Sequence, residues 1–124
     1  MKTFSKNERL SSKIIIDELF AKGKSFNNFP FKIIWMELPQ VATHSQVLFS
    51  VPKRLYKRAV DRNRMKRLMR EAYRKNKSSL YENLKEKKIG LIFIYLNKTK
   101  LDYQEIEEKI IVSLQRLYTD IVKK

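Results

Sequence analysis

The stretch Lys57–Lys75, KRAVDRNRMKRLMREAYRK, sets only Asp61 and Glu71 against a dense series of lysines and arginines. Like charges crowded this closely oppose folding unless solvent ions or a polyanion screen them, so the segment is either a disordered tail or a binding surface. Its apolar residues decide between the two. Wound at about 100° per residue, the segment gathers Met65, Leu68, Met69 and Ala72 on one arc. Arg62, Lys66 and Arg70 form an i, i+4 row on another, with Arg67 and Arg74 beside it. A disordered tail has no reason to segregate its apolar residues, and a merely solvated helix mixes Glu with Lys to relieve repulsion. The spacing therefore predicts a docked helix with one cationic face. Arginine outnumbers lysine here, which suits bidentate recognition of phosphate by planar guanidinium groups, so RNA or DNA is the expected ligand.

The rest of the composition agrees with that reading. The chain has 124 residues and 43% hydrophobic content, enough for one core, and a single domain over residues 1–124 is expected. A net charge of +15 and a pI near 10.1 favour a nucleic acid or an anionic membrane surface. The membrane reading is the weaker one. The longest apolar run, IGLIFIYL (Ile89–Leu96), is far too short to cross a bilayer, and no aromatic-rich amphipathic basic helix is evident. The beginning, MKTFSKNERLSSK, has no apolar secretory region and there is no cysteine, so a cytosolic protein is expected.

Period and turn signals predict alternating helical and extended segments. Ile15, Ile16, Leu19 and Phe20 recur at helical spacing between Ser11 and Lys22, with Ser11 or Ser12 as N-cap and Gly23 as the stop. FKIIWMEL (Phe31–Leu38) and SQVLFSV (Ser45–Val51) are rich in β-branched and aromatic residues and read as neighbouring antiparallel strands joined through PQVATH. KSFN before Asn28 is a short edge strand, and Ile89–Leu96 suits a central strand covered on both faces. Ile106, Ile110, Leu114, Leu117 and Ile121 share one face of a final helix, begun by a capping box of Asp102 and Glu105. Two glycines leave no room for a Gly-rich phosphate loop.

The run AVDRNRMKRLMRE, Ala59–Glu71, resembles the signature segment of the protein subunit of bacterial ribonuclease P, with Arg62-Asn63-Arg64 as its central tripeptide. Arg9-Leu10, the helix ending in FAKGKS, the strand VLFSVPKR and the late YQEIEEKI…LQRLY follow in that family's order, so the resemblance covers nearly the whole chain. It implies an α+β fold of order αβββαβα, a four-stranded sheet packed with helices, and a left-handed βαβ crossover carrying the basic helix. That hand breaks the usual right-handed rule, and periodicity does not predict it.

The resemblance also implies a function. Members bind a large catalytic RNA, and the complex removes the 5′ leader from precursor tRNA; the RNA holds the catalytic Mg²⁺, and one protein per RNA is expected. The implied RNA-facing residues are Arg62, Asn63, Arg64, Lys66, Arg67, Arg70 and Arg74, with Lys53, Arg54, Lys57 and Arg58 on the approach. A cleft between the first helix and the sheet takes the single-stranded leader, which maps onto Ile16, Phe20, Phe31, Ile34 and Trp35. Ile16 and Ile34 stand where the family often has aromatics, so Phe20, Phe31 or Trp35 must supply more of any stacking platform. Phe31, Ile33 and Trp35 share one strand face, and such a face is either core or platform.

Two rival functions are weighed against this one. A nuclease acting alone needs several Asp, Glu or His converging on metal ions or a scissile phosphate, whereas the acids here are dispersed, the largest group lying in the last helix and the linker before it. His44 sits in an expected turn and reads as a solvated loop residue, and Asp61 as a capping or turn residue. The other alternative is a ribosomal or other structural RNA-binding protein of similar build.

Overall fold

The computed structural model describes residues 6–39, 42 and 44–122. A 3-10 turn (Lys6–Glu8) leads into helix α1 (Lys13–Lys22), then strands β1 (Lys24–Asn28), β2 (Phe31–Glu37) and β3 (Gln46–Ser50). Helices α2 (Ala59–Asn76) and α3 (Ser78–Leu84) follow, then β4 (Ile89–Tyr95) and α4 (Tyr103–Val122). The strands form one mixed sheet in the order β1-β2-β4-β3. β4 pairs antiparallel with β2 and parallel with β3, so α2 and α3 make the crossover between two adjacent parallel strands.

Two expectations about this order are corrected. Phe31–Leu38 and Ser45–Val51 do form strands but are not neighbours, because β4 lies between them. Every residue of β4 except Ile94 is buried, and a β2–β3 hairpin would push this most apolar strand to an edge. Gln40, Val41 and Thr43 of the expected turn lie outside the described residues. The second correction is α3, whose buried Leu80 and Leu84 add a helix where one was expected between the third and fourth strands.

Alternation along the strands makes two apolar layers. Phe31, Ile33 and Trp35 of β2 and Leu91, Phe93 and Tyr95 of β4 join Met65, Met69, Ala72 and Tyr73 of α2 and Ile106, Ile110, Leu114 and Leu117 of α4. Phe93 sits at the centre, stacked on Phe49 at 5.7 Å and edge-on to Phe31 at 5.8 Å between ring centroids. Each such side chain contributes about 1.5–3 kcal/mol by burial. On the other face Leu19 of α1 packs with Leu10, Ile34 and Ile92, flanked by the half-buried Ile15, Ile16, Met36, Leu48 and Ile94.

The helix ends follow local chemistry. Ser12 Oγ accepts from Ile15 N at 3.4 Å as N-cap of α1. Asp102 Oδ1 accepts from Glu105 N at 2.9 Å while Glu105 Oε1 accepts from Asp102 N at 3.4 Å, the expected capping box. Gly23 ends α1 in extended backbone rather than a left-handed turn. Glycine is required there by close approach: a Cβ would lie 2.4 Å from the Leu19 carbonyl oxygen and 2.7 Å from Ile34 Cγ2.

Candidate nucleic-acid interface

The basic stretch forms α2, and its apolar arc is what docks it. Met65, Met69, Ala72 and Tyr73 are fully buried, which turns Asn63, Arg64 and Arg67 outward and leaves Arg62, Lys66 and Arg70 half-buried along the flank. Lys53, Arg54, Lys57 and Arg58 are exposed on the loop leading into α2. The helix starts at Ala59 with Arg58 as N-cap and without a side-chain cap. Asp61 is thus a first-turn acid rather than the cap itself. Lys100 Nζ donates to it at 2.8 Å and Arg58 Nε lies 4.0 Å away, which together hold its carboxyl below the usual carboxylate range.

The cations of this face are not equivalent. Arg62 Nη1 donates to the carbonyls of Tyr56 and Lys57, each at 2.9 Å, so this arginine braces the approach loop against the helix. Arg74 is forked onto Glu71, Nε to Oε2 at 3.0 Å and Nη2 to Oε1 at 2.5 Å. An anion reaching Arg74 would have to compete with that carboxylate. Arg70 is the opposite case: its Nε is buried and has no hydrogen-bond partner. Burial, together with the guanidinium charges of Arg9 and Arg67, pulls its pKa below the ordinary arginine value. A guanidinium crowded by like charges is costly alone and is relieved by an anion nearby. Arg9, exposed beside the bridge to Val47, adds a cation to this end of α2. It was not among the expected site residues, although the Arg9-Leu10 pair was a visible signal.

The cleft residues divide between the two faces of the sheet. Phe20 is 58% exposed on α1, and Ile16, one turn earlier, is half-buried. Ile34 is 5% exposed and packs with Leu19, so it is floor beneath the helix rather than an accessible wall. Phe31 and Trp35 are corrected. They are 2% and 1% exposed in the core formed with α2 and α4, on the face away from α1, because residues two apart on a strand share a side. The exposed apolar side chains of α1 are Ile14, 72% exposed, and Phe20, with Ile16 half-buried, while Met36, Leu48 and Ile94 are half-buried on the sheet face that packs with α1. His44 is exposed in a bend, as expected of a loop residue.

Sequence reasoning missed a buried polar cluster. Lys77 Nζ donates to both Glu8 carboxylate oxygens at 2.6 Å, Tyr81 Oη donates to Glu8 Oε2 at 2.8 Å, and the Tyr73 and Tyr81 hydroxyls lie 3.0 Å apart. No local pattern links Glu8 to Lys77. Among the described residues no group of three or more His, Asp or Glu gathers where a metal ion could sit. No helix among them is long and apolar enough to cross a membrane.

With this geometry in hand, similarity to known proteins is informative. Residues 4–118 match the family model described as Ribonuclease P. The chain is 37% identical to the ribonuclease P protein component of Porphyromonas gingivalis over 116 residues, 91% of this chain and 85% of that one. It is 36% identical to that of Clostridium novyi over 112 residues, 90% of this chain and 94% of the other. The structure superposes on the RNase P protein of Thermotoga maritima with a TM-score of 0.72 at 25% identity, covering 88% of this chain and 96% of that one.

Proposed function

The chain belongs to the ribonuclease P protein family, and from that premise we propose which of its surfaces meets which RNA. As a member it is the protein subunit of a ribonucleoprotein that matures the 5′ end of tRNA, partnered with the catalytic RNA and precursor tRNA. The chemistry is carried by the RNA. In this reading the cationic face of α2, Asn63, Arg64 and Arg67 with Lys66 and Arg70 on its flank, and Lys53, Arg54, Lys57 and Arg58 on the approach, binds phosphates of the catalytic RNA. Arg62 holds the approach loop in place. The surface of Phe20 and Ile16 takes an unpaired base of the leader by stacking. Mg²⁺ is assigned to the catalytic RNA and its substrate, and the assembly to one protein per RNA in the cytoplasm.

The observation that carries this reading is the cationic face of α2, where exposed Arg64 and Arg67 and half-buried Lys66 and Arg70 share a helix with the buried Met65, Met69 and Ala72 that lock it to the core. A merely solvated helix mixes acids among its cations to relieve repulsion, and this one has none between Asp61 and Glu71. The reading is tested by reconstitution. The chain alone leaves precursor tRNA intact; with its own bacterium's catalytic RNA, cleavage proceeds at Mg²⁺ and salt conditions in which the RNA alone is slow, and activity saturates at one protein per RNA. A folded chain that leaves the Mg²⁺ requirement unchanged contradicts the proposal.

A further inference from the structure

The turn between β1 and β2 presents Phe29, 66% exposed, while its neighbour Pro30 is buried. An exposed aromatic at a hairpin tip is ordinary by itself, but this one is held from both sides. Asn28 Nδ2 donates to Ser113 Oγ at 2.9 Å and to the Lys109 carbonyl at 3.2 Å, and Arg116 Nη1 donates to the Asn27 carbonyl at 3.2 Å. On the opposite side Leu96 N donates to the Pro30 carbonyl at 2.7 Å.

That last bond joins the tip to the phosphate-binding end of the molecule. The residue after Leu96, Asn97, accepts from Tyr56 Oη at 2.8 Å, and the Tyr56 carbonyl accepts from Arg62 Nη1 at 2.9 Å. Hydrogen bonds thus connect the turn at Pro30, the loop from Leu96 to Lys100 and the basic approach to α2, all at one end of the sheet. Lys98 is exposed in that loop, as are Lys53, Arg54 and Lys57 on the approach, whereas Lys100 is held by Asp61 at 2.8 Å. An aromatic on a braced backbone, at the same end of the sheet as exposed cations, is the pairing from which single-stranded nucleic acid sites are built.

We propose that Phe29 is a second base-stacking platform, which takes an unpaired RNA base from a strand whose phosphates run along Lys98 and the approach loop. The site rests on the RNA-binding reading above and lies outside the α1 cleft. The base comes either from the catalytic RNA or from the precursor tRNA leader, and both sources share the same chemistry, a stacked ring beside neutralised phosphates.

The test compares the parent with Phe29→Leu, which keeps apolar bulk without a π-face, and with Phe29→Tyr, which keeps the ring. Affinity is measured for the catalytic RNA alone, and for precursor tRNA and mature tRNA with the assembled holoenzyme, with melting temperatures alongside. Phe29→Leu is expected to melt with the parent and to lose about five- to a hundredfold in affinity, with Phe29→Tyr near the parent. A loss on the catalytic RNA assigns the base to that partner; a loss confined to leader-bearing tRNA assigns it to the leader. Phe29→Leu binding every RNA as tightly as the parent overturns the platform while leaving the family function intact. A loss of equal size in Phe29→Tyr overturns stacking as its cause. A parent that binds neither RNA overturns the underlying reading, and the platform with it.

Discussion

Lys77 Nζ stands 2.6 Å from both carboxylate oxygens of Glu8, a residue 69 positions earlier in the chain, and both side chains are about nine-tenths buried. The pair ties the N-terminal turn to the junction of α2 and α3. Through the next residue it also fixes Arg9 beside the cationic end of α2. Two charges removed from water are stabilised only while both are present. Removing one strands the other, so Glu8→Ala or Lys77→Ala is expected to destabilise the fold by about 3–5 kcal/mol. The double variant Glu8→Leu with Lys77→Met should recover much of that loss. Urea denaturation of the three variants checks this, and a double variant less stable than either single one contradicts it.

Phe20 and Trp35 should behave as opposites. Trp35→Ala empties the core between the sheet and its helices and is expected to cost about 3–5 kcal/mol, harming every activity together. Phe20→Ala removes an exposed ring, so stability should change by about 0.5 kcal/mol or less. Its effect should appear as weaker holoenzyme binding of precursor tRNA, by about 1–3 kcal/mol, with mature tRNA unaffected. Melting temperatures beside affinities for the two tRNAs separate the cases.

Arg70 should trade stability for binding. Its partnerless Nε and its like-charged neighbours make it a strained cation in the free protein. Arg70→Met is therefore expected to leave the melting temperature equal or higher while weakening affinity for the catalytic RNA. A lower melting temperature with unchanged RNA affinity would show that Arg70 serves the fold instead.

High pH should unfold the chain through its buried phenols. Burial is the main cause raising Tyr73, Tyr81 and Tyr95 above the ordinary tyrosine value, with Tyr95 pushed up to about 12. The neutral forms are the folded ones. Below about pH 10 the folded and unfolded chains hold the same phenolic protons and this contribution is complete. Above it the unfolded chain releases protons that the native chain keeps, so stability falls towards pH 12. Tyr95→Phe should flatten that fall in denaturant midpoints measured from pH 8 to 11.

The helices were more legible in the sequence than the pairing of the strands. Period alone located α1, α2 and α4, because their apolar stripes are what the core uses, and the Asp102–Glu105 box marked a helix start that the structure keeps. Strand partners were not legible. An apolar run reports burial, but placing β4 between β2 and β3 depends on which sheet order buries it on both faces. The same limit divided the site. The α2 face follows from local spacing, whereas Phe31 and Trp35 required knowing which face of β2 meets α1. Glu8 with Lys77 is a pairing that no periodicity encodes, whereas Glu71 and Arg74, three apart on one helix, are neighbours that the spacing allows.

The central claim is that the outward arc of α2 neutralises RNA phosphates, and its most direct measurement is the salt dependence of affinity for the catalytic RNA. Deleting one cation that neutralises a phosphate should lower the slope of log affinity against log salt by about one. The triple variant Arg64→Ala, Arg67→Ala, Arg70→Ala, shown to be folded by its circular dichroism and cooperative melting, is predicted to bind more weakly than the parent, with a slope shallower by about three. A folded triple variant whose affinity and slope match the parent's would contradict that claim.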